Sequence, residues 1–328
     1  MNAEIDLLSE SLNRVFADFI ATESGHHYGM QEWPGPLWET IEEMEFNQSP
    51  LGQLAVTSAH AMGRFAIPLP LSENIIASSI LGNKKINSIN GPYGLLFQSQ
   101  ATDLNLDASE KLSGRVVGIP WALNCKIFVV CCQDTVLLID SSDCTFVSGT
   151  NIAGEARDTV ILDKVSITDK VVGVSEQSIF LEAALLKASQ ITGALDRLLN
   201  MSLDYVLNRK QFGRSISKFQ VIQHQLAILA GHVASAEAAV QTAATSNCDL
   251  IAVGAAKAMA SSAAGDAAAI AHQVHGALGF TAEHSLHKYT KALWAWREEY
   301  GNETYWNMQL GDKLSKAGGR LLWPSITG

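Results

Sequence analysis

Two short segments carry the residue types and spacing that could hold an anion. Asn208 to Gln220 (NRKQFGRSISKFQ) puts Arg209, Lys210 and Arg214 beside a turn residue, Gly213, with Phe212 and Phe219 as apolar anchors. Cations next to a helix start suit phosphate, because first-turn N–H groups lack intrahelical partners and a guanidinium pairs with phosphate in a fork. Ser217 reads as the N-cap of the helix that follows. A phosphate-bearing ligand is one reading; an ordinary basic turn between two helices is the other. Gln273 to Thr281 (QVHGALGFT) closes an alanine-rich helix with Gly276 and Gly279, which permit close backbone approach to a ligand. A glycine-terminated helix with nothing bound has the same appearance. His275, inside this segment, either approaches a ligand or caps the helix.

A third stretch, Trp296 to Thr304 (WREEYGNET), clusters carboxylates. Glu298 and Glu299 read either as a general base or as a solvated helix face. His224, His232 and His272 fall on apolar helix faces, as core or interface histidines do. His26 and His27 sit in a glycine-containing loop without a carboxylate at metal-ligand spacing. The five cysteines form no CxxC pair and give no sign of a metal site; four of them sit in apolar, strand-like text and read as small buried hydrophobes, with reduced thiols in the cytoplasm as the default. Neither a GxSxG nucleophile turn nor a GxGxxG dinucleotide fingerprint occurs.

The elements that must position these residues follow from the hydrophobic pattern. The chain of 328 residues is 47% hydrophobic and 17% charged, enough apolar matter for two or three packed units and too much for a disordered chain. Its net charge of -10 argues against a general nucleic-acid binder. No uninterrupted apolar run reaches the roughly 18 residues of a membrane span. Residues 1–83 read as helices, from Leu7, Leu8, Leu12, Val15, Phe16 and Phe19 onward, with Leu54 to Phe65 as a further helix. Residues 84–172 turn to short β-branched runs: Leu112–Val117, Lys126–Cys132, Thr135–Ile139, Thr145–Val147 and Thr159–Val165, spaced as in an antiparallel sandwich or barrel. Residues 173–328 return to long helices: Ser178–Leu207, Lys218–Ser246, Asp249–His275 and Ser285 to about Leu314. The dense alanines of the second and third reflect helix propensity, close helix approach, or both.

In this order and separation the two anion-suited segments resemble the acyl-CoA dehydrogenase family. Its RxxFGxxIxxFQ segment is matched by Arg209, Phe212, Gly213, Ile216, Phe219 and Gln220. Its QxxGGxGY segment is matched by Gln273, Gly276, Gly279 and Phe280, with Ala277 in place of a glycine and Phe280 in place of tyrosine. The resemblance implies an α+β fold with an N-terminal helical domain, a central β-sandwich and a C-terminal four-helix bundle. The N-terminal domain is shortened relative to the family's.

It also implies FAD. In the family the two segments reach across a dimer interface to the pyrophosphate and adenosine of the neighbour's flavin. Residue by residue, this carries to Arg209, Gln211, Phe212, Gln220, Gln273, Gly276 and Ala277. Family catalysis removes an α-proton with a carboxylate while the β-hydride passes to flavin. An ungapped count from Tyr289 places Glu299 at the base, whereas anchoring on Gly301 places Tyr300 there, a poor base with an ordinary pKa near 10. The family's TEPxxGS-like segment, which contacts the flavin ring, has no counterpart in Gly94 to Asp103, and Gly118-Ile119-Pro120-Trp121 only echoes a second flavin-contacting stretch. Keeping the cross-interface segments while losing the in-subunit ones resembles the smaller subunit of bacterial heteromeric acyl-CoA dehydrogenases, including those acting on steroid side chains or ring fragments. The implied function is α,β-desaturation of an acyl-CoA thioester, with an FAD site shared with a second acyl-CoA dehydrogenase chain and electron-transfer flavoprotein as acceptor. A self-sufficient homotetramer using Glu299 and a non-catalytic structural subunit are the alternatives.

Overall fold

The computed structural model describes residues 2–22, 32–83, 91–281, 284–318 and 323–324; His26 and His27 lie outside them. The chain divides into two compact units, Met1–Ala183 and Ala184–Gly328.

Among the described residues, the first unit opens with the helices α1 (Asn2–Ala21), α2 (Gly35–Glu43), α3 (Gln53–Phe65) and α4 (Leu71–Asn83). Helix α1 buries Leu12 and Phe16 and packs on α3, where Phe16 meets Phe65 with ring centroids 6.2 Å apart. Asn74 of α4 is wholly buried, and its side chain explains why. Its amide donates to the Asn47 carbonyl at 3.1 Å and its oxygen accepts from the Tyr93 N–H at 3.0 Å, so a polar core residue ties this helix to the first strand.

Among the described residues eight strands follow: β1 (Tyr93–Phe97), β2 (Ala101–Leu106), β3 (Lys111–Pro120), β4 (Ile127–Cys132), β5 (Thr135–Asp140), β6 (Thr145–Val147), β7 (Arg157–Ser166) and β8 (Asp169–Val172). They form two four-stranded sheets, ordered β1-β4-β5-β8 and β2-β3-β7-β6. Leu96, Phe128, Val130 and Ile139 from one sheet share a core with Leu112, Val116, Val160 and Leu162 from the other, which makes the pair a sandwich. Antiparallel pairing holds except between β1 and β4, which run parallel with Tyr93 opposite Ile127. Sequence spacing gave no sign of β1, β2 or β8. Burial pushes the Cys125 and Cys131 thiols well up, and that of Cys132 up to about 11, so these sulfurs behave as apolar core atoms.

Helix α5 (Glu176–Asn208) runs from the first unit into the second, which continues with a small hairpin, β9 (Lys210–Gln211) and β10 (Arg214–Ser215), then α6 (Gln220–Ala244), α7 (Leu250–His275), α8 (Leu286–Glu298) and α9 (Glu303–Ala317). Helix α7 packs against α6, α8 and α9. Its buried Ala256, Ala260, Ala263, Ala264, Ala267 and Ala271 leave no bulk to hold those helices away. The Asp249 carboxylate caps it, accepting from the Ile251 and Ala252 N–H groups.

Two sequence expectations are corrected. The helix expected from Ser285 to Leu314 is two, because Tyr300 (φ 55°) and Gly301 (φ 85°) take left-handed backbone between Glu298 and Glu303. A Cβ on Gly301 would sit 2.4 Å from the Tyr305 ring, so only glycine fits there. Ser217 is not the N-cap of α6. Phe219 holds that position without a side-chain cap, and Ser215 instead caps a short 3-10 turn ahead of it.

Candidate functional site

The second unit places the two anion-suited segments together. Tyr205 and Arg209, the hairpin's Gln211 and Phe212, then Ile216, Phe219, Val221 and Ile222, face Gln273 to Leu278 across one cleft of about 540 Å³. Each wall is built by local chemistry. After α5 ends, Phe212 (φ 51°) and Gly213 (φ 76°) form a two-residue hairpin turn with both central residues left-handed, the form that matches strand twist. The Ser215 hydroxyl donates to the Val206 carbonyl at 2.7 Å and the Ile216 N–H to the Arg209 carbonyl at 2.9 Å, folding the hairpin back onto the helix end. The Arg214 guanidinium lies 4.3 Å from the centroid of the Phe219 ring, so this cation is spent on packing, whereas Arg209 lines the cleft. Phe212, 89% exposed, forms the hairpin tip.

The opposite wall depends on two glycines for different reasons. Gly276 ends α7 at φ 60°, ψ -145°, a conformation glycine alone adopts freely, and nothing lies within 4 Å of where its Cβ would be. Gly279 is buried, and a Cβ there would stand 2.9 Å from the Leu286 side chain and 3.0 Å from the His275 Cβ. The first glycine shapes the cleft rim; the second lets the loop close on α8.

His275, the last residue of α7, is buried between these features. Its Nδ1 lies 2.8 Å from the Ala271 carbonyl oxygen, and its ring stacks on Tyr205 with centroids 4.5 Å apart. The Tyr205 hydroxyl donates to the His275 carbonyl at 3.2 Å. Burial pushes the pKa of His275 down, helped by His284 and His272 nearby. His284, Tyr205, Asn208 and Arg209 line a second lobe of about 460 Å³ that shares Tyr205 and Arg209 with the first. His272, one residue ahead of the segment, stacks on Phe280 and meets the Thr290 hydroxyl at 3.0 Å.

Of the site residues read from sequence, Arg209, Gln211, Phe212, Gln273, Gly276 and Ala277 all line the cleft. Gln220 and Glu299 do not. Gln220 opens α6 as an exposed residue. Glu299 lies at the end of α8, where its carboxylate meets Lys187 Nζ at 2.9 Å; it is neither a solvated helix face nor a carboxylate at leisure. Lys187 is buried on α5 and also donates to Gln190 Oε1 at 2.8 Å. A second buried lysine, Lys257, supports the same turn, donating to the Ser261 hydroxyl (2.8 Å) and to the carbonyls of Arg297 (2.9 Å) and Gly301 (2.7 Å). Glu298 is exposed and accepts from the Asn302 amide, while Arg297 pairs with Glu303 across the turn. Tyr205, His284, Lys187 and Lys257 were missed in the sequence. No spacing flags them, since each meets its partners only through the fold. No cluster of metal-ligating side chains occurs among the described residues, and no helix there is long and apolar enough to cross a membrane.

Residues 174–304 match the family model described as acyl-CoA dehydrogenase, C-terminal domain. Among curated proteins, the acyl-CoA dehydrogenase IpdE2 of Mycobacterium tuberculosis is 38% identical over 109 residues, 33% of this chain and 34% of that protein. The match thus spans about a third of that relative's length. The acyl-CoA dehydrogenase FadE28 of the same organism is 25% identical over 84% of this chain and 77% of its own. Among solved structures, the ChsE4-ChsE5 complex from Mycobacterium tuberculosis superposes with a TM-score of 0.85 at 17% identity, covering 95% of this chain and 97% of that one. PigA with FAD and proline gives 0.80 at 17%, over 96% and 98%. The helix–sheet–helix chain therefore has the acyl-CoA dehydrogenase fold. Within it, residues 174–304 are similar to the C-terminal domain of acyl-CoA dehydrogenases.

Proposed function

We propose that this chain is one subunit of a flavin-dependent acyl-CoA dehydrogenase that desaturates a CoA thioester between its α and β carbons. In this proposal it contributes the cleft between the hairpin and the end of α7 to an FAD shared with a partner chain. The observation that carries the proposal is the convergence of Arg209 and the Gln273–Leu278 segment on one cleft. The donor set fits the diphosphate and adenosine half of the cofactor. Arg209 supplies a forked cation, Gly276 leaves the rim free of side-chain bulk, and the apolar Ile216, Val221 and Ile222 suit a nucleoside.

When bound, FAD supplies the acceptor for the hydride leaving the thioester's β carbon. This chain's part is to hold and orient the nucleotide end: Arg209 neutralises diphosphate charge, and Gln211 and Gln273 offer amide donors. Proton removal is assigned to the partner chain, because the Glu299 carboxylate is taken up by Lys187 Nζ and lies outside the cleft. The fold shared with the ChsE4-ChsE5 complex and with the Tcur3481-Tcur3483 steroid acyl-CoA dehydrogenase supports a shared assembly and a steroid-derived acyl group. Electron-transfer flavoprotein is the proposed acceptor.

The visible spectrum tests this. The chain purified alone is expected to carry substoichiometric flavin, and co-purification with its partner dehydrogenase chain is expected to restore flavin colour and turnover. Full flavin occupancy with turnover by the chain alone would establish the self-sufficient homotetramer instead. A colourless, inactive complex would leave a structural subunit.

A further inference from the structure

His275 presents a hydrogen-bonding demand that phosphate does not meet. Its Nδ1 faces a carbonyl oxygen, which only accepts, so Nδ1 carries the ring proton and neutral His275 offers Nε2 as a bare acceptor. Among the described residues Nε2 is buried and has no hydrogen-bond partner, and His275, only 2% exposed, is one of the residues that line the cleft. The ring is held on two sides, stacked on Tyr205 at 4.5 Å and met edge-on by His284 at 4.8 Å, and it does not turn away to find a partner. A buried polar atom left unsatisfied is destabilising, so a ligand that satisfies it binds more tightly for doing so. His284 is complementary. Its Nδ1 accepts from the Leu286 N–H at 3.1 Å, which leaves the proton of the neutral ring on Nε2. Phosphate oxygens only accept; they suit Arg209 but oppose the His275 lone pair.

We infer that His275 Nε2 accepts a hydrogen bond from a donor on the nucleoside part of the bound nucleotide, a ribose hydroxyl or the adenine amino group, and so makes the cleft selective for a nucleoside diphosphate over diphosphate alone. This rests on the nucleotide reading above and adds a specificity residue to it. The acceptor requirement comes from the chain's own helix end, since Ala271 fixes which nitrogen holds the proton.

Calorimetry on the full chain tests this with four probes: ADP, 2′,3′-dideoxy-ADP, inosine diphosphate and inorganic pyrophosphate. ADP is expected to bind more tightly than pyrophosphate. Either the dideoxy analogue, lacking the ribose hydroxyls, or inosine diphosphate, lacking the amino group, is expected to bind about tenfold more weakly than ADP, which identifies the donor. His275→Phe, which keeps a stacking ring, is expected to lose a similar factor for ADP and nothing for pyrophosphate. Should that variant fail to fold, the wild-type series still decides. A nitrogen-15 spectrum of the histidine rings gives an independent readout, with the unprotonated Nε2 signal of His275 shifting when ADP is added. If both analogues bind as tightly as ADP, the His275 inference is overturned while the nucleotide site stands. If neither ADP nor pyrophosphate binds, both fall together.

Discussion

Replacing Lys257 by methionine tests how the turn between α8 and α9 is held. The lysine is wholly buried, and its three N–H groups go to the Ser261 hydroxyl and to the carbonyls of Arg297 and Gly301. Methionine fills similar volume but leaves two carbonyls and a hydroxyl without their donor. At about 1–3 kcal/mol per stranded group, offset by no longer burying an ammonium, Lys257→Met is expected to cost about 2–4 kcal/mol at pH 6. The cost should depend on pH. Burial pushes the Lys257 pKa down to about 7, partly opposed by Glu299, from an ordinary value of 10.5. Below pH 7 the folded and unfolded chains both carry the proton, and the penalty for burying charge is fully present. Between pH 7 and 10.5 only the unfolded chain holds it, so raising the pH stabilises the wild type while the methionine variant gains nothing from this group. Integrated from pH 6 to 9, the gap widens by about 2–3 kcal/mol. Urea unfolding followed by circular dichroism at pH 6, 7, 8 and 9 measures it. A gap that stays level or narrows with pH would refute the picture of a lysine whose charge is expensive in the fold.

Three further outcomes are expected. Gly279→Ala forces a methyl to within 3.0 Å of Leu286 and His275 and should lower stability by about 1–3 kcal/mol, read as a fall in melting temperature. Glu299→Gln keeps an acceptor for Lys187 but removes its counter-charge, so about 1–2 kcal/mol of stability should be lost while turnover of the reconstituted complex persists. Abolished turnover with the fold intact would return Glu299 to the role of base. Arg209→Ala, at an exposed side chain, should leave the melting temperature nearly unchanged yet weaken flavin binding roughly 10- to 100-fold, with Arg209→Lys intermediate.

Much of the architecture was legible in sequence because long helices write a strong period. Ser178–Leu207 and Asp249–His275 fall within a few residues of α5 and α7. The strands overlooked lack that signal. β2 (ATDLNL) is largely exposed and polar, β8 has four residues, and β1 (YGLLF) is buried throughout, so it shows no alternation. The break at Tyr300-Gly301-Asn302 was available as a glycine followed by an N-cap asparagine, which accepts from the Tyr305 N–H, but apolar periodicity continuing into α9 concealed it. At the site, the hairpin and the glycine-closed helix end were readable because backbone geometry restricts their residue types. The Tyr205–His275 stack and the Lys187–Glu299 pair were not, because each joins residues distant in sequence whose types are ordinary where they stand.

Photo-crosslinking with 8-azido-ADP, followed by mass spectrometry of the labelled peptides, probes most directly whether the hairpin corner and the α7 end grip a nucleotide. Labels are expected on residues 205–222 and 273–278, suppressed by excess FAD and lost in Arg209→Ala. Labelling confined to other segments, or undiminished by FAD, would contradict a nucleotide cleft between Arg209 and Gly276.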